Sequence, residues 1–305
     1  MVRGNALGGE PSETAHAAPA LPHAPGTERL RSAEAAENFP VALRILPARY
    51  RRRLQAVYGV VRTIDDLGDE GDSAPAARIA ALEAFRAELH SPAPRSPVLR
   101  ALARDASDLP TEPFDRLIAA NVQDQTVVSY DTWDSLLGYC ALSADPIGRL
   151  VLAIFAVPEG PETLRASDAV CTALQVLEHC QDVREDRGRG RVYLPAEDLA
   201  RFGVAEADLD RPSATPALRA LVLHETDRAE ALLDAGSGLV GELRGWARIA
   251  VACYLAGGRA AAAALRRVDG DVLGRAPEAA HTRRRDILRA LPRTLRASSP
   301  PRSRR

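Results

Sequence analysis

Two segments of this chain carry carboxylates at intervals that suit the binding of a cation. In the first, four polar side chains stand at offsets 0, 4, 7 and 11: Tyr58, Arg62, Asp65 and Asp69. On a helix that turns about 100° per residue, these offsets place an aromatic ring, a cation and two carboxylates on one face. A solvated face would favour Glu over Asp, because Asp is a poor residue for a helix interior. The clustered aspartates therefore indicate a functional face.

The second segment repeats this arrangement further along the chain. Its four polar side chains stand at offsets 0, 3, 7 and 11: Gln175, Glu178, Asp182 and Asp186. They share one face of a helix that we predict to end at Gly188 or Gly190. Two helices that each carry a D-x-x-x-D pair can face one another across a bundle. The sequence thus predicts a cavity lined by at least five carboxylates.

Such a cluster needs compensation, because neighbouring carboxylates repel unless a divalent cation binds or a pKa rises. Oxygen ligands without a thiolate or imidazole at matching spacing favour Mg²⁺ over Zn²⁺. Mg²⁺ commonly shares its shell with phosphate oxygens, so the pattern predicts a phosphorylated substrate held by nearby arginines. The candidates are Arg62, Arg184, Arg187, Arg189 and Arg191. The alternative is two solvated faces paired with arginines, and the repeated offsets argue against it.

The elements that carry these residues are predicted to be helices throughout. Apolar residues recur at helical spacing from Leu43 onward, without an alternating strand pattern. Clusters of Pro and Gly predict breaks at 92–97, 110–113, 158–161, 188–195, 212–216 and 236–245. Eight or more helices in one continuous pattern favour a single all-α bundle. We expect a disordered leader over 1–30, one helical domain over 31–282 and a basic, disordered tail over 283–305.

Composition excludes several classes of protein. At 46% apolar and 27% charged, 305 residues can bury a large core, so the chain as a whole is not intrinsically disordered. A net charge of −1 gives no attraction to nucleic acid, and none is expected as a partner. The longest apolar run, 150–157, has 8 residues and is too short to cross a bilayer. Four separated cysteines without an export signal predict reduced thiols and a cytoplasmic protein.

Three longer motifs, at 38–69, 130–149 and 175–195, identify a known family. The middle one reads Y-x-T-W-x-x-L-x-x-Y-C-x-x-S-A-D-P-I-G-R. Over about residues 35–278, the chain resembles the squalene and phytoene synthase family, and it is most similar to the bacterial hydroxysqualene synthase branch. The resemblance implies an all-α isoprenoid-synthase bundle with a central active-site cavity, two or three Mg²⁺ ions and a prenyl diphosphate substrate. In this branch presqualene diphosphate becomes hydroxysqualene without NADPH, on the way to squalene and hopanoids.

The resemblance also assigns roles, position by position. Asp65, Asp69, Asp182 and Asp186 match metal ligands, Arg62 matches a diphosphate contact, and Gln175 matches a pocket residue. Rings such as those of Tyr58 and Tyr139 are expected to line the pocket and stabilise a carbocation, with core packing as the alternative. The complete prediction comprises the metal ligands Asp65, Asp69, Glu178, Asp182 and Asp186, the catalytic residues Tyr58, Arg62, Tyr139 and Gln175, and the substrate-binding residues Asn38, Phe39, Arg62, Tyr130, Arg187, Arg191 and Tyr193.

Two positions depart from the family pattern. Glu178 stands where most members have an Asn metal ligand, and it adds a negative charge that bears on metal number or affinity. Asn38 stands where many members have a Ser that contacts diphosphate. His179, beside the metal face, is predicted to pack or face solvent because it points about 100° away from Glu178.

Two rival functions stay open. The same aspartates serve head-to-head condensation of two farnesyl or geranylgeranyl diphosphates, and a catalytically silent helical scaffold is a rival from another class.

A G-x-G-x-x-G match at 236–241 follows a helix-like run instead of a strand, so it predicts a helix break and no dinucleotide site. The alternative to a solubilising tail is contact with anionic lipid on the inner face of the membrane. Sister enzymes of the squalene pathway are expected partners.

Overall fold

The all-α prediction is confirmed by the structure. A computed structural model describes residues 46–274, 280–282 and 284–297. Within these residues it shows thirteen α-helices, a 3-10 helix at Glu206–Asp210 and, in place of strands, one isolated parallel bridge between Ser129 and Val192. The helices are α1 Ala48–Asp69, α2 Pro75–Leu89, α3 Pro97–Asp105, α4 Glu112–Gln123, α5 Trp133–Ser143, α6 Asp145–Ile154, α7 Pro161–Gln181, α8 Val183–Gly188, α9 Ala196–Phe202, α10 Pro216–Gly236, α11 Leu239–Glu242, α12 Gly245–Arg267 and α13 Arg284–Ala297.

Proline begins several of these helices. Pro75, Pro97, Pro161 and Pro216 are the first residues of α2, α3, α7 and α10. Amide hydrogens in the first turn of a helix have no acceptor within the helix. Proline, which lacks an amide hydrogen, therefore loses no hydrogen bond there. Five of the six breaks predicted from Pro and Gly clusters coincide with gaps between helices, and the sixth, at 236–245, contains the short helix α11.

Helix α7 lies at the centre of the bundle and packs on α5, α6, α10 and α12. It belongs to the largest of three buried apolar clusters, whereas α1, α3 and α4 contribute to the second. Helices α7 and α10 approach closely at Gly236, where an added Cβ would lie 2.6 Å from the carbonyl oxygen of Ala166. Helix α6 packs on both α1 and α7. The two aspartate segments therefore stand on different halves of the core, joined through α6.

The second aspartate segment corrects one prediction. It is not a single helix that runs to Gly188, because α7 ends at Gln181 and the short helix α8 starts at Val183. Asp182 joins them with φ −102° and ψ 13°, outside the helical region. The amide of Asp186 still donates to the carbonyl of Asp182 at 2.8 Å, so the chain resumes a helix after one residue.

The C-terminal segment corrects a second prediction, that of a disordered tail. Disorder from residue 283 is wrong for residues 284–297, which form α13 and pack along α12. Ile287 is 3% exposed, Thr294 is fully buried, and Leu291 packs on the core, so a narrow apolar stripe underlies the arginines. The helical domain thus extends beyond residue 282. The predicted leader and residues 298–305 of the tail lie outside the described residues.

Two stretches, Trp133–Ile154 and Gly245–Arg267, are long and apolar enough to cross a membrane by length and composition. In the fold, 56% and 61% of these stretches are buried inside the bundle. The first is also divided at Ala144, between α5 and α6. Burial against neighbouring helices accounts for their apolar character.

A buried carboxyl fastens α6 to α7. The side chain of Asp145 is 7% exposed, and its Oδ1 accepts a hydrogen bond of 2.9 Å from the Thr172 hydroxyl. Burial raises the pKa of Asp145 to about 6, and the neighbouring Asp168 adds to the rise. Ionised Asp145 therefore costs stability at neutral pH.

We predict that Asp145→Asn stabilises the protein at pH 7.5 and has little effect at pH 4. The pKa of Asp145 is about 3.9 in the unfolded chain, so stability falls as the pH rises from about 4 to 6. Asn keeps an acceptor for Thr172 without the charge. Urea denaturation is expected to show a gain on the order of 1 kcal/mol in the free energy of unfolding at pH 7.5 only. Asp72→Asn, at an exposed position, is the control, and an equal gain at both pH values would contradict the prediction.

Candidate active site

One cavity of about 410 Å³ receives both aspartate faces. Helices α1, α7 and α8 supply its acidic sides, and residues of α4, α5 and α6 complete the wall. All eight residues of the two predicted faces line it together: Tyr58, Arg62, Asp65, Asp69, Gln175, Glu178, Asp182 and Asp186. The structure therefore joins two segments that are more than one hundred residues apart in the sequence.

On α1, Asp65 lies in the cavity wall next to Asn121. Burial raises the pKa of Asp65 to about 7, and the nearby Asp69 carboxylate contributes to the rise. The side-chain amide of Asn121, on α4, donates to Asp65 at 3.4 Å and partly offsets it. Glycine at position 68 lets Asn121 approach, because an added Cβ would lie 2.2 Å from its side-chain oxygen.

Arg62 is held beside this face by acidic neighbours on the same segment. Its Nε lies 2.8 Å from Asp66 Oδ1, and its Nη2 lies 3.2 Å from Glu70 Oε1. Asp66 and Glu70 do not line the cavity, whereas Arg62 does. These pairs therefore orient the guanidinium at the edge of the cavity without placing further carboxylates inside it.

The opposite face belongs to α7, α8 and the residue between them. Burial raises the pKa of Asp182, and the neighbouring Asp186 adds to the rise. His281, which follows α12, lies 3.7 Å from Asp182 Oδ1. Gln175 lies one turn before His179, and their side-chain nitrogens are 3.3 Å apart.

The donor set suits a divalent metal ion. Six carboxylates line the cavity, the pKa values of Asp65 and Asp182 are raised partly by like charges, and no thiol is among the lining residues. A cluster of this kind is stabilised by a cation, and oxygen donors alone suit Mg²⁺ better than Zn²⁺. Arginines at the same cavity can balance the charge of a phosphorylated ligand.

Two arginines reach across the cavity from the loop after α8. Arg191 Nη2 lies 2.8 Å from Asp69 Oδ1, and Arg189 Nη1 lies 3.8 Å from Asp69 Oδ2. Arg187, which was predicted to bind substrate, does not line the cavity. Its guanidinium instead pairs with Asp210 at 2.9 Å and Glu206 at 2.7 Å. In this structure Arg187 therefore lies outside the cavity, and its role in binding substrate stays a prediction, whereas Arg189, another member of the predicted arginine run, lines the cavity.

Aromatic rings form the wall between the two faces. Tyr139, Tyr193 and His179 line the cavity, and His179 stacks on Tyr193 with ring centres 3.8 Å apart. His179 is thus packed, as predicted, and it also contributes to the wall. The Tyr130 ring packs against Tyr139 and Tyr193 and does not line the cavity, so its predicted contact with substrate stays a prediction. Asn38 and Phe39 lie outside the described residues.

The polar wall residues that the sequence interpretation missed include Asn121 and Asp124. They lie three residues apart at the end of α4, so both face the cavity. Asp124 accepts hydrogen bonds from the hydroxyls of Tyr139, at 2.7 Å, and Tyr193, at 3.4 Å. The three-residue spacing of Asn121 and Asp124 shows in the sequence that both side chains share one helix face. Only the fold shows which residues they contact.

A second acidic group lies away from this cavity. Ligand atoms of Asp198, His224 and Glu225 lie within 4.8 Å of one another. The Arg228 guanidinium already sits among them, 3.1 Å from Glu225 and 2.5 Å from Asp198. It also lies over the Trp133 ring at 4.7 Å. Because Arg228 already pairs with both carboxylates, we interpret the group as a structural ion-pair cluster that ties α9 to α10.

An apolar annex of about 170 Å³ adjoins the acidic cavity. The two share lining residues on α5, α6 and α7, including Ile147, Val151 and Gln175. The rest of the annex is mostly aliphatic, with Leu174, Leu239 and Tyr254 among its walls. A ligand with an anionic head and a hydrocarbon tail fits this combination.

Comparison with known proteins agrees with this geometry. The model of the family described as squalene/phytoene synthase matches residues 32–286. The chain belongs to that family. Its members are prenyl-diphosphate enzymes of isoprenoid biosynthesis, and they generally depend on a divalent metal ion.

Relatives of more than one activity are similar to this family member. A hydroxysqualene synthase from Rhodopseudomonas palustris is 34% identical over 68% of this chain and 72% of its own length. A phytoene synthase from Mycobacterium tuberculosis is 37% identical over 68% and 70%. The crystal structure of squalene synthase HpnC from Alicyclobacillus acidocaldarius covers 79% of this chain and 93% of its own, with 40% identity and a TM-score of 0.71.

Proposed function

We propose that this enzyme converts presqualene diphosphate to hydroxysqualene with Mg²⁺ and without a nicotinamide cofactor. The observation that carries the proposal is the meeting of both aspartate faces in one cavity that continues into an apolar annex. Similarity to hydroxysqualene synthases supports the choice of substrate. The reaction consists of loss of diphosphate, rearrangement of the carbocation and addition of water.

The residues that would hold Mg²⁺ are five of the six cavity carboxylates, those of Asp65, Asp69, Glu178, Asp182 and Asp186. When bound, Mg²⁺ neutralises charge that develops on the departing diphosphate. Glu178 adds a negative charge to this set, and we propose two or three ions as the number that balances it.

The chain's own cations and rings carry the rest of the mechanism. Arg62, Arg189 and Arg191 bind the diphosphate and stabilise it as it leaves. Gln175, between the acidic cavity and the annex, orients the reacting carbons. The aliphatic annex keeps bulk water away from the carbocation, and the faces of Tyr58, Tyr139 and Tyr193 stabilise its charge.

A second candidate is condensation of two farnesyl or geranylgeranyl diphosphates. The 37% identity to a phytoene synthase favours it, because that value exceeds the identity to the hydroxysqualene synthases. The same carboxylates and arginines serve both reactions. The substrates, and not the fold, therefore distinguish the two candidates.

Product analysis tests the proposal. Purified protein with Mg²⁺ and no NADPH is incubated separately with presqualene diphosphate, farnesyl diphosphate and geranylgeranyl diphosphate, and the lipids are identified by mass spectrometry. Hydroxysqualene from presqualene diphosphate alone is the expected result. Formation of presqualene diphosphate or phytoene would show that the enzyme catalyses the condensing reaction instead. If none of the substrates is turned over, both candidate functions are wrong.

We also propose that the enzyme is cytoplasmic and contacts the inner face of the membrane through α13. Leu288 is 54% exposed, and Arg285 and Arg289 beside it have side chains 63% and 78% exposed. Arg293 is also exposed one turn further on. Because the buried stripe fixes α13 on α12, these side chains form a basic outer face with an apolar residue that suits anionic lipid. A sister enzyme that makes presqualene diphosphate is the expected supplier of substrate.

Vesicle binding measures this contact. Changing Arg285, Arg289 and Arg293 together to Gln is expected to weaken binding to phosphatidylserine-containing vesicles about a hundredfold at low salt, since each arginine contributes about 1 kcal/mol. The control changes three exposed arginines elsewhere to Gln: Arg95, Arg100 and Arg104. The prediction would be contradicted if the affinity of the wild-type protein for vesicles depended neither on salt concentration nor on phosphatidylserine content.

A further inference from the structure

The cavity holds one carboxylate that belongs to neither aspartate face. Asp124 follows α4 and lines the cavity beside Tyr139. Its Oδ2 accepts 2.7 Å from the Tyr139 hydroxyl, and its Oδ1 accepts 3.4 Å from the Tyr193 hydroxyl. Neither the proposed metal set nor the proposed diphosphate contacts use Asp124.

The surroundings of Asp124 fix its orientation. Tyr139 and Tyr193 are both buried, with ring centres 5.5 Å apart, and Tyr193 is stacked on His179. Burial raises the pKa of both tyrosines, so both hydroxyls stay protonated and act as donors to Asp124. Each carboxylate oxygen offers two lone pairs, so one hydrogen bond to each oxygen leaves acceptor capacity free for a water molecule.

The chemistry of the proposed reaction requires such an acceptor. Addition of water to a carbocation first gives a protonated alcohol, and that proton must leave within a cavity shielded from solvent. Burial raises the pKa of Asp124 to about 6, partly offset by the Tyr139 hydrogen bond. A carboxylate with this pKa is ionised at neutral pH and takes up a proton more readily than an exposed one.

Resting on the proposed function, we infer that Asp124 is the catalytic base that orients the incoming water and accepts its proton. The water oxygen forms a bond to the cationic carbon, and one of its O–H bonds breaks. The proton moves to a carboxylate oxygen of Asp124, which leaves a neutral alcohol and a neutral carboxylic acid. Tyr139 and Tyr193 position the carboxylate through their hydrogen bonds.

The inference predicts a change in product ratio and not only in rate. Without the base, the carbocation loses a C–H proton to the departed diphosphate, and an alkene forms in place of the alcohol. Asp124→Asn keeps the shape and the acceptor oxygen but binds a proton far more weakly. We expect its ratio of hydroxysqualene to alkene to fall about tenfold or more, with a smaller fall in diphosphate release.

The experiment incubates each enzyme with presqualene diphosphate and Mg²⁺, quantifies lipids by mass spectrometry and measures diphosphate release by a coupled assay. Asp131→Asn, at an exposed position outside the cavity, is the control and should match wild type. Circular dichroism confirms folding, and Asp124→Ser replaces Asp124→Asn if the latter does not fold.

Each of the possible outcomes either supports or overturns the inference. A lower alcohol ratio in the Asp124 variant, with wild-type behaviour of Asp131→Asn, supports the inference. An unchanged ratio, or equal losses of alcohol and diphosphate release, overturns it while the proposed function stands. A wild-type enzyme that forms no alcohol from presqualene diphosphate overturns the proposed function and this inference with it.

Discussion

Replacing Asp65 with Asn is expected to lower turnover of presqualene diphosphate about a thousandfold while the protein remains folded. Asp65 is one of the two α1 carboxylates that line the cavity, and an amide is a neutral, weaker ligand for a divalent cation. Steady-state kinetics over a range of Mg²⁺ concentrations measures the loss. Asp72→Asn, at an exposed position just beyond α1, is the matched control and should retain activity.

Thermal unfolding separates this loss from a folding defect. Asp65 lies among carboxylates that repel it, so Asp65→Asn is expected to melt at or above the wild-type temperature without metal. Mg²⁺ with pyrophosphate should stabilise wild type and not the variant. Near-normal turnover by Asp65→Asn would show that the α1 face does not hold the cation. If Mg²⁺ with pyrophosphate does not stabilise the wild-type protein, the result would instead favour a catalytically silent scaffold.

The parts of the site that lie on one helix were predictable from sequence. Tyr58, Arg62 and Asp65 share a face because the helical period fixes their relative directions, whatever the rest of the fold does. The second segment shows the limit of this argument. No Gly or Pro marks the interruption at Asp182, and only the tertiary structure shows that α7 stops there and α8 continues.

Residues on loops and in the wall behind them were not predictable in this way. Arg187 and Arg191 look equivalent in the sequence, but Gly190, with φ +78°, turns the chain between them. The amide of Arg191 then donates to the carbonyl of Asp186 at 2.9 Å. Tyr130 was assigned to the pocket by its type, yet two other tyrosines cover it. Such outcomes depend on contacts between distant segments, which carry no local period.

The difference between these two arginines gives the second large expected effect. Arg191→Met is expected to lower kcat/KM about a hundredfold, because Arg191 supplies a buried positive charge at the diphosphate end of the cavity. Methionine suits the buried position, and Asp69 keeps Arg189 and solvent as partners. Arg187→Met is the matched control: it removes only the ion pairs to Asp210 and Glu206, and surface pairs of this kind contribute about 0–1 kcal/mol to stability.

Kinetics of the two variants on presqualene diphosphate, with circular dichroism to confirm folding, provides the comparison. Arg187→Met should stay within about twofold of wild type, since its guanidinium points away from the cavity. Equal losses in both variants would mean that the loop after α8 rearranges around the substrate and brings Arg187 inward. A loss confined to Arg191→Met would show that Gly190 divides the arginine run into an outer, structural part and an inner part that binds the leaving group.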